Sequence, residues 1–240
     1  MHIHPLQSSL RAKQNKIQAK QLARFFKTGV GEYAHGDIFL GIKVPVTRSI
    51  VKTHIETLTL QDIETILKSP YHEERLAALI ALTQLLHHRK SSTEKAARLY
   101  LKHTQNINNW DLVDISASHI IGPYVEKQET TLLLEKLATS KSLWERRIAI
   151  IATFYFIMKG KGEETLKIAT LLLRDDHDLI HKAVGWMLRE VGKRVSEEIL
   201  TSYLDQHLSI IRPTTLRYAI ERLSPDRRKM YLEKRRSSCV

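Results

Sequence analysis

The sequence has little of what an all-β, disulfide-bonded or membrane-spanning protein requires. Its 240 residues include nine glycines and six prolines, too few for the many tight turns of an all-β fold. The single cysteine, Cys239, cannot form an internal disulfide, which favours a reducing compartment. The N-terminus lacks the apolar segment of a signal peptide, and the longest apolar run, residues 148–158, is too short to cross a bilayer. We therefore expect a cytoplasmic protein that does not bind membranes.

Acidic residues are also comparatively scarce. There are 26 Asp and Glu against 38 Lys and Arg, which gives a formal net charge of +12. An excess of this size favours an anionic partner, most commonly nucleic acid. No His or Cys spacing matches a zinc site, and neither a Walker pattern nor a dinucleotide-binding glycine pattern is present. We expect neither a metal nor a cofactor.

Helical periodicity runs through most of the chain, as in HEERLAALIALTQLLHHR. Capping residues mark several helix starts. These predicted starts are Ser91 with Glu94, Asn109, Ser142 with Glu145, and Ser224 before Pro225. One stretch is rich in glycine instead, and it predicts a long loop over residues 28–45 after a first helix.

Five similar segments follow one another at intervals of 35 or 36 residues. They are RLAALIA from Arg75, DLVDISA from Asp111, RIAIIAT from Arg147, KAVGWML from Lys182 and RYAIERL from Arg217. Shorter helices between them make each unit a helix pair, which buries its apolar face by stacking on its neighbours. We predict one all-α domain over residues 1–240. It has N-terminal helices and a loop over 1–70, and a HEAT-like helical repeat solenoid with a concave basic face over about 71–240.

Two residues stand out when the five segments are aligned by their first residues. The fourth position is small or apolar in the other segments but holds Asp114 in the second, and the fifth position of the fourth segment is Trp186. Trp110, Asp114, Arg147 and Trp186 fall within an arc of roughly 140° around their helices. We therefore expect these four side chains to share one stripe of three successive repeats and to converge.

Each of these residues also has a purely structural interpretation. Trp110 fits a packing residue behind a helix cap, and Asp114 fits a partner in a buried salt bridge. Trp186 fits an ordinary core position, and Arg147 lies in a column that is already basic. Asp111 is in the first turn of its helix, where the dipole favours a carboxylate, so we interpret it as structural.

The four side chains suit the cleavage of a bond to a cationic base. Indole faces attract cations, and a carboxylate stabilises an oxocarbenium ion or orients a water molecule towards it. Arg147 can hold a phosphate by paired hydrogen bonds, and a basic rim can carry the backbone of a duplex. A base that is already cationic leaves as a neutral molecule and needs no general acid, so one carboxylate suffices.

Five motifs make the chain resemble the AlkD-type DNA alkylation repair glycosylases, a HEAT-like helical family. The motifs are RFFKT, NNWDLVD, SLWERRIAI, HKAVGWMLRE and RPTTLRYAIERL. The resemblance implies removal of positively charged N3- and N7-alkylated purines from duplex DNA without metal or cofactor. It implies that Trp110 and Trp186 are cleft tryptophans, that Asp114 is the catalytic carboxylate and that Arg147 is the cleft arginine. Phe25 stands where the family has a tyrosine, and so lacks its hydroxyl.

The sequence leaves two other functions open: a DNA-structure-binding HEAT-repeat protein without catalysis, and a protein-binding scaffold. The repeat columns predict phosphate contacts by Arg189, Lys193 and Arg217 besides Arg147. We expect a monomer. Whether the target base is flipped out of the duplex is left open by the sequence.

Overall fold

The computed structural model describes residues 3–88 and 91–237, so Cys239 lies outside the described residues. Helices make up 69% of the structure, and the described residues contain no strand. The prediction of an all-α helical repeat fold is confirmed. The chain divides into two compact units, Met1–Ser116 and Ala117–Val240. The predicted single domain over 1–240 is not tested by this division and stays a prediction.

The first unit is built from seven α-helices among the residues described. They are α1 (Pro5–Arg11), α2 (Lys16–Phe25), α3 (Val44–His54), α4 (Leu60–Leu67), α5 (His72–His87), α6 (Thr93–Lys102) and α7 (Trp110–Asp114), with a 3-10 turn at Thr104–Asn106.

The second unit is built from nine α-helices among the residues described. Its helices are α8 (Ala117–Lys127), α9 (Leu132–Ala138), α10 (Leu143–Ala152), α11 (Phe154–Ile157), α12 (Glu163–Leu172), α13 (Asp178–Arg194), α14 (Glu197–His207), α15 (Pro213–Ala219) and α16 (Pro225–Ser237). Helix α10 packs against α8, α9 and α13, and α13 packs against α14 and α15. The second unit is therefore a set of helix pairs, as the repeat predicts.

Helix α5 is the centre of the first unit. Every residue from 76 to 82 is buried, so the helix is apolar on all sides. Helices α1, α3, α4, α6 and α7 pack against it. Its first turn is different, because His72, Glu73, Glu74 and Arg75 are polar and equally buried. Such groups are costly to bury unless they are hydrogen-bonded, so this turn must be satisfied by its neighbours.

The glycine-rich segment between α2 and α3 is a loop, as predicted, and it is held from inside by Glu73. The loop covers residues 26–43 and follows the second helix rather than the first. The Glu73 carboxylate accepts hydrogen bonds from the N–H groups of Leu40, Gly41 and Ile42 at 2.8, 2.7 and 3.0 Å. These bonds satisfy backbone donors that have no helical partner.

Three of the predicted helix caps are confirmed and one is wrong. Asn109, Ser142 and Ser224 accept hydrogen bonds from the backbone at the starts of α7, α10 and α16. Helix α6 is capped by Ser92 and not by Ser91. Both residues are serines, so composition alone does not distinguish them.

The starts of α5 and α10 share a set of contacts that fixes the register of the repeat. In α5, Arg75 donates to the carbonyl oxygen of Ser69 at 3.0 Å, and the Ser69 hydroxyl donates to Glu74. The same pattern recurs 71 residues later, from 140 to 146. Arg75 is therefore equivalent to Arg146, and the alignment of Arg75 with Arg147 is one residue out of register.

The register of Asp114 also differs from the sequence alignment. Asp114 is the fifth residue after the N-cap of α7. Arg147, Lys182 and Arg217 are each the fifth residue after the N-caps of α10, α13 and α15. The carboxylate thus stands at a position that is cationic in these three helices, and not in the small or apolar column. The five-residue helix α7 is too short to reveal its register by periodicity.

Position 41 requires glycine because the loop passes close to the backbone at the start of α2. It has a φ of +84°, and a Cβ atom there would overlap the carbonyl oxygen of Asn15 and lie 2.6 Å from the nitrogen of Ala19. We expect Gly41→Ala to lower the free energy of unfolding by about 2–4 kcal/mol, as measured by urea denaturation.

Gly31→Ala is the matched control. Gly31 has a φ of +79°, but a Cβ atom there would meet open space, so only the backbone conformation is penalised. We expect a loss of about 1 kcal/mol. Equal losses for the two variants would contradict the role given to the close approach of α2.

Candidate active site

A cavity of about 470 Å³ lies in the first unit beside α7. Its lining is mostly aromatic and aliphatic. Three carboxylate residues, Glu73, Asp111 and Asp114, also line it, together with Trp110 and Phe25. Phe25, Trp110 and Asp114, which the sequence proposed as site residues, are therefore brought together around one cavity.

Stacked rings position the indole of Trp110. Trp110 stacks on Phe26 with ring centroids 5.2 Å apart, and Phe26 stacks on Phe39 at 5.1 Å. Phe39 in turn stacks on His72 at 4.4 Å. Phe25 meets the indole edge-on at 6.1 Å and is 65% exposed. The half-buried indole is thus held by a column of rings that continues into the core.

Asp114 ends α7, four residues after Trp110, and is half-buried. Its carboxylate influences the protein interior. The pKa of the buried Tyr100 is raised by burial and by the negative charge of Asp114, against the effect of a hydrogen bond with Ser116. Since charges interact more strongly away from bulk water, the Asp114 charge acts on a group in the buried interior of the first unit.

A buried ion network beneath the cavity was not predicted from the sequence. His72 lies with Nδ1 2.9 Å from Asp37 and Nε2 2.8 Å from Asp111. Burial lowers the pKa of His72, but the two carboxylates outweigh it and raise the pKa to about 9. His72 is therefore an imidazolium at neutral pH, and it joins the loop, α5 and α7.

Asp37 completes this network from the loop. Burial raises the pKa of Asp37, but the hydrogen bond with His72 and the charge of Arg75 outweigh burial. The pKa is therefore lowered below its usual value, and Asp37 is ionised. Arg75 pairs with Asp37 and also donates to Asn108, just before α7, at 3.1 Å. Asp111, interpreted from the sequence as a helix-dipole residue, is thus a direct partner of a buried cation.

Arg147 and Trp186 belong to the second unit. Arg147 is 5% exposed, and its Nη1 donates to the carbonyl oxygen of Leu179 on α13 at 2.6 Å. Trp186 is half-buried on α13, with its ring centroid 6.4 Å from that of Phe154. Their predicted convergence with Trp110 and Asp114 stays a prediction.

The three further residues predicted to contact phosphates differ in their surroundings. Arg189 pairs with Glu221 and lies 3.4 Å from Glu190. Lys193 and Arg217 are exposed. Of the three, Arg189 is thus the one held by carboxylates of its own unit.

The residues that the structure describes contain neither a cluster of metal ligands nor a membrane-spanning helix. Among residues 3–88 and 91–237, no three His, Cys, Asp or Glu side chains are grouped so as to hold a metal ion. No helix in that part of the chain combines the length and apolarity needed to span a membrane.

Known proteins resemble the chain in sequence pattern and in fold. A family model described as "DNA alkylation repair enzyme" matches residues 6–223. A solved structure titled "Predicted DNA alkylation repair enzyme from Enterococcus faecalis" superposes with a TM-score of 0.71 at 20% identity, covering 88% of this chain and 97% of that one. This similarity shows a shared fold. No curated protein matches the chain.

The His72 network predicts a loss of stability at alkaline pH. Because the pKa of His72 is raised from 6.5 to about 9, its stabilisation is complete below about pH 6.5 and is lost as the pH rises through about 9. We expect the stability advantage of the wild type over His72→Gln to shrink by about 3 kcal/mol across this range in urea denaturation.

His35→Gln serves as the control, since His35 is an exposed histidine of the same loop. The free energy of unfolding of this variant should differ from that of the wild type by a constant amount over the same pH range. A pH-independent difference for His72→Gln as well would show that the imidazolium does not contribute to stability.

Proposed function

The chain belongs to the DNA alkylation repair enzyme family, and we propose that it is a DNA glycosylase for cationic N3- and N7-alkylated purines in duplex DNA. The observation that carries the proposal is the shared cavity of Trp110 and Asp114. An aromatic face and a carboxylate there match the two charges of the reaction, one on the base and one that develops on the sugar.

Trp110 is proposed to hold the alkylated base. A cationic purine is attracted to an indole face, more strongly when water is excluded. The ring column behind Trp110, which runs through Phe26 and Phe39, supports this role because it limits rotation of the indole. Phe25 is proposed to shield the edge of the base from solvent by its apolar ring.

Asp114 is proposed to stabilise the transition state. As the bond between C1′ and the base nitrogen breaks, its electron pair leaves with the base, which becomes neutral. Positive charge develops on the sugar, and a nearby carboxylate stabilises it. Water then adds to C1′ and gives up a proton to the carboxylate or to solvent. These steps consume only water, so the proposed reaction uses neither metal nor cofactor.

Arg147 and Trp186 are proposed to contact the duplex, as the family resemblance implies. The bond from Arg147 to the Leu179 carbonyl supports a fixed guanidinium rather than a mobile one. Further proposed phosphate contacts are Arg189, Lys193 and Arg217. The protein is proposed to act as a cytoplasmic monomer.

Base release from methylated duplex DNA tests the assignment. We expect the wild type to release free 7-methylguanine and 3-methyladenine, detected by chromatography. Asp114→Asn should reduce the single-turnover rate by about 100-fold or more, because it removes the charge that stabilises the transition state. DNA binding by this variant should remain.

Asp176→Asn provides the same chemical change at a side chain that is 99% exposed. It should leave the rate unchanged. Wild-type protein that binds DNA without releasing bases would favour the non-catalytic DNA-binding function, and protein that does neither would favour the scaffold. Equal rates for wild type and Asp114→Asn would remove the proposed mechanism.

A further inference from the structure

The positive charge of the chain is concentrated near its N-terminus. Residues 1–31 contain six Lys and Arg and no Asp or Glu. This segment therefore carries +6, half of the formal net charge of +12. It also includes α2, whose last residue, Phe25, lines the candidate active site.

Three of these cations form a row along α2. Lys16, Lys20 and Arg24 are spaced four residues apart, and all three are exposed. Four helical residues rise about 6 Å and turn about 40° past a full revolution, so the row stays within about 80° of the helix surface. We call these three residues the α2 row.

No carboxylate within the described part of the chain pairs with the α2 row. Three exposed lysines elsewhere in the protein do pair with carboxylates. These pairs are Lys102 with Glu64, Lys159 with Glu126 and Lys167 with Glu135. The α2 row thus has no ionic partner that would explain it as a device for folding.

The α2 row opposes the stability of its own helix. Like charges four residues apart cost about 0.2–0.5 kcal/mol per pair. Lys16 is the first residue of α2, whose first turn contains no acidic residue, so its charge also opposes the helix dipole. An arrangement that is unfavourable within the protein becomes favourable with an anionic partner.

We propose that the α2 row binds the phosphate backbone of duplex DNA next to the candidate active site. The choice of DNA as the partner rests on the proposed function. A linear row of point charges matches a linear row of phosphates, and each neutralised phosphate releases counterions. Arg24 directly precedes Phe25, so a backbone held by α2 is continuous with the cavity. None of the three residues belongs to the repeat columns.

The test measures binding to unmodified duplex DNA over a range of salt concentrations by fluorescence anisotropy. The variant Lys16→Gln/Lys20→Gln/Arg24→Gln should weaken binding. It should also make the slope of log K against log salt shallower by about 2 to 3, because each of the three lost phosphate contacts contributes about 0.9. Thermal unfolding checks that the variant is folded, and removal of like charges should not destabilise it.

The control variant Lys102→Gln/Lys159→Gln/Lys167→Gln makes the same change in net charge at lysines that are paired. It should leave the slope unchanged. Equal slope changes in both variants would overturn the proposal, since the effect would then be one of overall charge. The proposal would also be overturned, in favour of a membrane surface, if the α2 row variant lost binding to phosphatidylserine vesicles but bound DNA as the wild type does.

Binding to unmodified DNA separates this proposal from the glycosylase activity. Suppose that the wild type releases no bases but the α2 row variant shows the expected shallower salt dependence of DNA binding. The row is then a DNA-binding surface, and the catalytic assignment fails. If bases are released and the slope does not change, the catalytic assignment stands and the α2 row is not the phosphate contact.

Discussion

The first unit depends on the burial of four charged or polar side chains, His72–Arg75, in one helical turn. Such groups destabilise a core unless each is paired and hydrogen-bonded. Glu73 is satisfied by three backbone N–H groups of the loop, and Glu74 by Gln7, Arg11 and Ser69. The other two reach the loop and the segment of α7. The requirement to satisfy one turn therefore fixes the positions of α1, the loop and α7 together.

The candidate site inherits its geometry from that turn. A five-residue helix such as α7 is too short to be stable on its own, so its position must come from tertiary contacts. Asp111 supplies one through His72, and the preceding Asn108 supplies another through Arg75. Trp110 lies between these two anchored residues, and Asp114 follows within the same turn of helix. Trp110 and Asp114, which are proposed to contact the substrate, are thus positioned by the buried contacts of His72 and Arg75.

The sequence predicted features that repeat locally and missed those that join distant segments. Periodicity and capping residues indicated the all-α fold, the loop and the neighbouring positions of Trp110 and Asp114. The pairing of His72 with Asp37 joins the start of α5 to a residue of the irregular loop 35 positions earlier, and such a pair leaves no periodic trace in the sequence. A signal was nevertheless present, because HEER begins a helix that is apolar on every side, which requires buried partners for its polar residues. The position of Asp114 in the repeat was missed because α7 has one turn.

The three carboxylates that line the cavity differ in their surroundings. Glu73 accepts three backbone hydrogen bonds from the loop, and Asp111 faces the imidazolium of His72, so both carboxylates hold parts of the fold in place. Asp114 is half-buried at the end of α7 and lies closer to solvent than either of them. We propose that Asp114, which lines this cavity together with Trp110, responds to positive charge that develops on a bound sugar.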